Sequence, residues 1–140
     1  MQIHASCVSR DGAGVLLLGP SGCGKSDLAL QLLECGFVLV ADDRVEIGDR
    51  VASAPAALAG LLEVRGLGIL RLPHADRAEL VLAVNLAPVS ERLPSPSLHP
   101  TLGLPQVTID PATASAALRV RHALDCALGL TAQHVGAFAA

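Results

Sequence analysis

The order of apolar and polar positions in residues 12–43 predicts a compact unit of strands and a helix. Residues 12–19 ("GAGVLLLG") form an apolar run bounded by glycines, which is typical of a buried parallel strand. Farther on, apolar side chains recur at helical spacing: Leu28, Ala29, Leu32 and Leu33. A second apolar run over residues 37–41 stops at two aspartates. Strand, loop, helix and strand follow one another within about thirty residues, the length of one βαβ unit.

The pattern beyond these aspartates predicts a mainly β arrangement that ends in a helix. The predicted elements are a hairpin over residues 45–53, a strand or loop over 61–70, a strand over 79–86, an irregular proline-rich connector over 87–105 and a helix over 112–130. The sequence contains no internal repeat and no sign of a second domain. We therefore expect one domain over residues 1–130, followed by a flexible tail at 131–140.

Composition excludes several classes of protein. Apolar residues make up 51% of the chain and charged residues 16%, which excludes a disordered chain. With two phenylalanines, no tyrosine, no tryptophan and a net charge of -3, the chain lacks the stacking rings and basic surface of a nucleic-acid-binding module. Its apolar runs fall short of the roughly 18 residues of a membrane span. Four cysteines without C-x-x-C spacing, and no secretory signal, indicate reduced thiols and a cytoplasmic protein.

The segment "GPSGCGKS" at residues 19–26 matches the pattern G-x-x-x-x-G-K-[ST] between a predicted strand and a predicted helix. Backbone N–H groups of such a turn, next to a helix N-terminus, form a cradle for phosphate, and residues 19–26 are therefore called the phosphate loop. Lys25, the single lysine of the chain, would neutralise the outer phosphates, and the Ser26 hydroxyl would ligate Mg²⁺. We expect Lys25 to face solvent where no nucleotide is bound. The expected nucleotide-binding residues are Gly19, Pro20, Ser21, Gly22, Cys23, Gly24, Lys25, Ser26 and Asp27.

Two adjacent carboxylates, Asp42 and Asp43, follow the second apolar run. A carboxylate at the carboxyl end of a buried strand lies beside the phosphate loop, where it can hold a metal ion. Neighbouring residues of an extended strand point to opposite sides, so the two aspartates are expected to have different roles. On the residues alone, one of them holds Mg²⁺ or its waters while the other faces an incoming nucleophile.

The segment "LLEVRGLGIL" at residues 61–70 contributes another carboxylate and an arginine. Glu63 and Arg65 are two residues apart and would share one face of a strand, and Gly66 and Gly68 allow the backbone to approach a ligand closely. An arginine that faces a transferred phosphoryl group is the expected stabiliser of its charge. His4, by contrast, is a lone histidine whose position alone indicates an ordinary surface residue.

Three segments, "GPSGCGKSDLAL", "LVADDRVEI" and "LLEVRGLGI", resemble the motifs of bacterial HPr kinase/phosphorylase in their order and spacing. The resemblance extends from about Ile3 to about Ala127. It implies an α/β fold, the P-loop nucleotide-binding fold of the HPr kinase and phosphoenolpyruvate carboxykinase-like type, with a mixed sheet and flanking helices. It also implies that residues 1–130 are a single kinase catalytic domain, the short form without the N-terminal domain of longer members.

The resemblance further implies roles for particular residues. Asp42 would take the proton from a substrate serine, and the other implied catalytic residues are His4, Lys25 and Arg65. The implied metal residues are Ser26, Asp43 and Glu63, with ATP and Mg²⁺ as the cofactors. The implied activity is ATP-dependent phosphorylation of a serine in HPr, the phosphocarrier of the phosphotransferase system, with phosphorolysis, the removal of that phosphoryl group by inorganic phosphate to give pyrophosphate, as the opposing activity. A homo-oligomer is expected because longer relatives form hexamers, and neither nucleic acid nor a membrane is an expected partner.

One segment departs from the family pattern. Longer members carry a Gly-Arg-containing loop ahead of the last helix, whereas this chain reads "IDPATASAALRV" and has no Gly-Arg after Pro111. We therefore expect kinase activity to exceed phosphorylase activity. Two other functions stay open on the residues alone: a small-molecule kinase with the same core, and a regulatory module that senses a nucleotide without catalysis.

Overall fold

The computed structural model describes residues 1–139, which form ten β-strands, two α-helices and one short 3₁₀ turn. The strands are β1 (Gln2–His4), β2 (Ser6–Arg10), β3 (Ala13–Leu18), β4 (Val38–Ala41), β5 (Arg44–Gly48), β6 (Val51–Ser53), β7 (Leu61–Val64), β8 (Gly68–Arg71), β9 (Ala78–Leu86) and β10 (Gln106–Ile109). The helices are α1 (Lys25–Leu33) and α2 (Ala116–Ala127), and the 3₁₀ turn is Ala56–Leu58. Neither helix has the length and apolarity needed to cross a membrane.

Eight of the strands form one mixed sheet, which confirms the expected α/β class. Seven follow the order β1-β5-β6-β9-β3-β2-β4, and β10 pairs with the last part of β9, beyond the residues that pair with β6. Strand β9 runs parallel to β3 and β10, and the other pairs in the sheet are antiparallel. The predicted hairpin at residues 45–53 is the β5–β6 pair. Its turn residues Asp49 and Arg50 have φ of 51° and 62°, as a tight hairpin turn requires.

The predicted βαβ unit is interrupted by one strand, so its two strands are not neighbours. Strand β2 lies between β3 and β4 and is antiparallel to both. The reason is a second tight turn: Asp11 and Gly12 have φ of 51° and 82° and join β2 to β3 as a hairpin. Because this hairpin occupies one edge of β3, the chain that returns from α1 adds β4 to the outer edge of β2.

The main sheet buries apolar side chains on both faces. Within β3, Val15 and Leu17 belong to one apolar cluster and Leu16 to the other, as the alternation of a strand requires. The first cluster, called the helix-side cluster below, also contains the buried apolar residues of α1 and α2 together with Leu62 of β7, so the helices and the β7–β8 hairpin cover that face. The second cluster contains residues of β4 and β5 and also Leu104 of the connector.

Neither the proline-rich connector at residues 87–105 nor residues 131–139 of the predicted tail contain a helix or a strand. The segment expected to be a flexible tail nevertheless makes specific contacts. The backbone N–H of Phe138 donates to Oε1 of Gln133 at 2.7 Å, and the Phe138 ring packs against the helix-side cluster. Ala140, the last residue of that predicted tail, lies outside the described residues.

Candidate active site

The phosphate loop joins the carboxyl end of β3 to the first residue of α1, where the sequence pattern placed it. Gly22 and Gly24 have φ of 79° and 106°, a conformation that glycine adopts at little cost, and Gly24 is the N-cap of α1. Gly19 is required for a different reason, since a Cβ there would lie 2.6 Å from Sγ of Cys23. These glycines let the loop turn tightly onto a helix N-terminus, whose partial positive charge favours phosphate.

Lys25 does not face solvent, and our expectation for it was wrong. The residue is 6% exposed, and its Nζ donates to the carbonyl oxygens of Gly19 at 2.7 Å and Pro20 at 2.9 Å. An ammonium group that leaves water needs acceptors for its protons, and the loop supplies two. The positive charge of Lys25 is therefore held within the loop.

Asp42 immediately follows β4 and is 6% exposed. Its Oδ1 accepts hydrogen bonds from the hydroxyls of Ser26, in the first turn of α1, and of Ser6, at the start of β2, each at 2.7 Å. Its Oδ2 lies 3.5 Å from the backbone N of Glu63. Hydroxyl donors offset the cost of burying a carboxylate. Asp42 is thus linked directly to the phosphate-loop serine that was expected to ligate Mg²⁺.

Asp43 has different surroundings although it is the next residue. Its φ is 70°, its side chain is 62% exposed, and its Oδ1 lies 2.7 Å from Nε2 of His4. Its Oδ2 lies 3.9 Å from Nε of Arg44. The two carboxylates separate because the chain bends at a left-handed residue between β4 and β5, whereas we had expected the alternation of a straight strand. The antiparallel pairing of β1 with β5 brings His4 to the site, against the indication of its position alone.

Glu63 and Arg65 belong to the β7–β8 hairpin, which forms a separate two-stranded sheet. Glu63 lies in β7, and Arg65 lies in the turn just before Gly66, whose φ is 82°. Leu62, which is fully buried, anchors β7 in the helix-side cluster, while the side chains of Glu63 and Arg65 stay exposed. The hairpin therefore presents one carboxylate and one guanidinium beside the phosphate loop.

A cavity of about 440 Å³ lies between the phosphate loop, the turn at Asp43 and the β7–β8 hairpin. The predicted site residues that border it are His4, Ser21, Gly22, Gly24, Lys25, Ser26, Asp27, Asp43, Glu63 and Arg65. The remaining predicted residues, Gly19, Pro20, Cys23 and Asp42, do not border it. Three residues that we did not predict do so: Ser6, Leu30 and Val64. The last two lie within the motif segments quoted above, but no sequence signal marks Ser6, which is one of two serines in the short strand β2.

The donor groups beside the phosphate loop fit a magnesium ion that is shared with a nucleotide. Within residues 1–139, no three side chains of His, Cys, Asp or Glu form a group that could hold a metal ion by themselves. Mg²⁺ needs few protein ligands, because it keeps several waters and binds phosphate oxygens. The hydroxyl of Ser26 next to the carboxylate of Asp42 is a donor set of that limited kind.

Comparison with known proteins identifies the family. The family model for the HPr Serine kinase C-terminal domain matches residues 1–85, which include the phosphate loop, both aspartates and the β7–β8 hairpin. The chain belongs to this family. The HPr kinase/phosphorylase of Clostridium tetani is 46% identical to it over 87 residues, and that of Bacillus pumilus is 51% identical over 75 residues.

These two relatives differ from the present chain in length. The matches cover 59% and 50% of this chain but 28% and 24% of the relatives, so the chain spans less than a third of their length. A solved structure described as the Hpr(Ser) kinase/phosphatase from Coxiella burnetii has a TM-score of 0.77 and 24% sequence identity. That match covers 93% of this chain and 92% of the other, so the HPr kinase fold extends well past residue 85.

Proposed function

We propose that this chain transfers the γ-phosphoryl group of ATP to a serine of the phosphocarrier protein HPr, with Mg²⁺ as the metal. The observation that carries the proposal is one cavity bordered by both a phosphate loop and the Asp43–His4 pair, whose atoms are 2.7 Å apart. A phosphate cradle and an exposed base beside it are the two halves of a phosphoryl-transfer site. The relatives named HPr kinase/phosphorylase support HPr as the acceptor.

We assign the two aspartates the reverse of the roles that the resemblance implied. Asp42 is buried against Ser26, so it is poorly placed to meet the hydroxyl of a second protein and well placed to act on the metal side. Asp43 is exposed at the cavity, so it is the better general base. Ser26 keeps its role at the metal, and Glu63 stays a second carboxylate at the same cavity.

In the proposed reaction, the serine oxygen of the acceptor attacks the γ-phosphorus while Asp43 accepts the serine proton. The new O–P bond forms as the bond to the leaving ADP breaks, and His4 holds the Asp43 carboxylate in position. Base assistance of this kind contributes about 10²–10⁴-fold to the rate. Lys25 and Arg65 supply positive charge from the loop and from the hairpin. When bound, Mg²⁺ would neutralise charge on the phosphates, next to Ser26 and Asp42.

The segment after β10 supports a bias toward the kinase direction. Cβ of Pro111 would lie 3.5 Å from a Cβ at Gly24, so this segment reaches the phosphate loop. The first arginine after Pro111 is Arg119, and its Nε donates to the hydroxyl of Ser115. Phosphorolysis brings inorganic phosphate close to phosphoserine, and two anions at short distance repel unless extra cations compensate them. We propose that kinase activity exceeds phosphorylase activity for this reason.

A cytoplasmic location and self-association complete the proposal. The four cysteines are free thiols, which fits a reducing compartment. Exposed apolar side chains on and after α2 are candidates for a contact between copies of the chain: Leu118, Leu128 and Leu130. Light scattering coupled to size-exclusion chromatography measures the assembly directly, and a monomer at all concentrations would contradict it.

The proposed activity is tested by incubating the purified chain with ATP, Mg²⁺ and purified HPr, followed by mass spectrometry of HPr. We expect one added phosphoryl group on a single serine, and far less of this product after the same time when Asp43→Asn replaces the wild-type chain. ATP consumption without modified HPr would favour the small-molecule kinase. Binding of ATP without any turnover would favour the regulatory module.

A further inference from the structure

One buried hydroxyl at the site has no role in the reaction described above. Ser6 is fully buried at the start of β2, where its neighbours Ala5 and Cys7 are equally buried and apolar. Its Oγ donates to Oδ1 of Asp42 at 2.7 Å. A polar side chain in such surroundings needs a partner, and this carboxylate is the partner that the structure provides.

We infer that Ser6 is a positioning residue that orients Asp42 and, through it, the metal-side hydroxyl of Ser26. The two serines donate to the same oxygen of Asp42, each at 2.7 Å, from two different elements, β2 and α1. Two donors on one oxygen restrict rotation of the carboxylate about its Cβ–Cγ bond. The other carboxylate oxygen, Oδ2, then faces the backbone N of Glu63, 3.5 Å away.

Loss of the Ser6 hydroxyl is expected to weaken the binding of Mg²⁺ more than the binding of the nucleotide itself. A serine hydroxyl has one proton to donate and lone pairs to offer. While the Ser26 proton points to Asp42, the lone pairs of Ser26 stay available for a cation. Without Ser6 the buried carboxylate loses one of its two hydroxyl donors, which leaves its charge less compensated and its orientation less defined. Lys25 is held by the carbonyl oxygens of Gly19 and Pro20 and not by Asp42, so its position should not change when the Ser6 hydroxyl is removed.

The hydroxyl of Ser6 is not what holds β2 in place. The backbone of Ser6 pairs with Leu17 of β3, and that of Cys7 pairs with Ala41 of β4, whatever side chain stands at position 6. Removal of one oxygen atom therefore leaves the strand paired on both edges. This separates a positioning role from a structural one, and it makes the inference testable on a folded chain.

The inference rests on the proposed function, because it assumes that Ser26 and Asp42 act at Mg²⁺. Its test is isothermal titration of ATP in Mg²⁺ and again in EDTA, for wild type, Ser6→Ala and Ser6→Thr. The ratio of the two affinities reports the metal's contribution. We expect Ser6→Ala to lower that ratio about 10–100-fold with unchanged affinity in EDTA, and Ser6→Thr to retain it, since partners behind a metal ligand have effects of this size.

Ser9→Ala is the matched control, because Ser9 is a second buried serine of β2 but pairs with Val38, at the far end of β4 from Asp42. It should keep the wild-type ratio. An unchanged ratio in Ser6→Ala, or an equal loss of affinity in Mg²⁺ and in EDTA, would overturn the inference. If Ser6→Ala fails the check of folding by thermal unfolding, Ser6→Cys, a weaker donor of similar size, replaces it and should give an intermediate ratio.

These titrations, together with the HPr assay described above, separate this inference from the proposed function. A wild-type chain that binds ATP more tightly in Mg²⁺ but leaves HPr unmodified contradicts the proposed activity, and the Ser6 variants still decide the inference. A wild-type chain that binds no ATP in either condition overturns both.

Discussion

The two sides of the cavity differ in how firmly the protein holds its charged groups. On the phosphate-loop side, Lys25 and Asp42 are each 6% exposed and are bonded to loop carbonyls or serine hydroxyls. On the opposite side, the Asp43 side chain is 62% exposed, and Arg65 lies in a hairpin turn outside the main sheet. Charged groups that are already fixed by hydrogen bonds to neighbouring residues are preorganised for a ligand of constant shape, such as a nucleotide. Exposed groups leave access for a folded protein, so under the proposed function the held side suits the nucleotide and the exposed side suits the acceptor protein.

The largest expected effect lies on the exposed side. Asp43→Asn should lower kcat for HPr phosphorylation by about 10²–10⁴-fold, because the amide cannot accept the serine proton. ATP affinity should stay near the wild-type value, since Asp43 acts in the transition state. Asp42→Asn should instead raise the Mg²⁺ concentration needed for half-maximal rate. Steady-state kinetics against ATP and Mg²⁺ measure both, and the same phenotype in the two variants would contradict the division of roles.

On the buried side, Lys25→Ala should lower the rate by about 10²–10³-fold, the usual effect of removing one preorganised charge stabiliser. ATP binding should weaken as well, because the ammonium group lies within the phosphate loop. Circular dichroism should show a folded chain, since helix α1 and its packing remain. Turnover and ATP affinity that match the wild type would remove the phosphate-loop interpretation altogether.

The hairpin offers a matched pair of exposed arginines. Arg65→Ala should lower kcat by at least about tenfold, because Arg65 borders the cavity and, under the proposed function, stabilises the charge that develops there. Arg71→Ala should leave kcat unchanged, because Arg71 pairs with Leu61 at the opposite end of the hairpin. Kinetics at saturating ATP and HPr make the comparison, and equal effects of the two substitutions would show that only general surface charge matters.

The direction of the reaction gives a smaller and more specific test. We expect kinase turnover to exceed phosphorylase turnover several-fold at comparable substrate levels, since the segment at Pro111 brings no arginine to the phosphate loop. His4→Ala should harm the phosphorylase reaction more, because the His4 imidazole borders the cavity and can donate a hydrogen bond to a second anion there. Phosphoserine loss and pyrophosphate release in added phosphate report the phosphorylase rate. Equal rates in both directions would show that the missing arginine is dispensable.

The smallest effect concerns stability in alkali and the sheet beneath the site. Burial raises the pKa of Cys7 from 9.0 to about 12. Between these values the unfolded chain has lost the thiol proton and the folded chain has kept it. The free energy of unfolding therefore falls as pH rises, by about 1.4 kcal/mol per pH unit. Few other side chains add to this pH dependence, because the chain has no tyrosine and a single lysine.

Urea unfolding at pH 8 and pH 10.5 should show this loss, about 2 kcal/mol, in the wild type and not in Cys7→Ala. Cys35→Ala, which alters a half-buried thiol, is the control and should behave as the wild type does. A loss of the same size in Cys7→Ala would mean that another group causes the alkaline destabilisation.

Much of the fold could be predicted because local chemistry determines it. The phosphate loop, helix α1, the β5–β6 hairpin and strand β9 lie close to the positions that their patterns indicated. The split of the βαβ unit was missed, although its signal, the turn residues Asp11–Gly12, was present, because no strand was predicted before residue 12. Predicted helix 112–130 is shorter at both ends, at Ala116–Ala127, because turns from Pro111 precede it and Gly129, with a φ of 75°, lies in the turn that follows it.

The sequence by itself determined which groups the site contains: a phosphate loop with one lysine, two adjacent aspartates, and a Glu–Arg segment with glycines. Only the tertiary structure decided what each group contacts. Asp42 and Asp43 are indistinguishable in the sequence, yet strand pairing buries the first against Ser6 and Ser26 and leaves the second beside His4. The physical reason is that residue type and spacing specify local conformation, whereas burial and hydrogen-bond partners depend on strands that are distant in the chain and adjacent in the sheet.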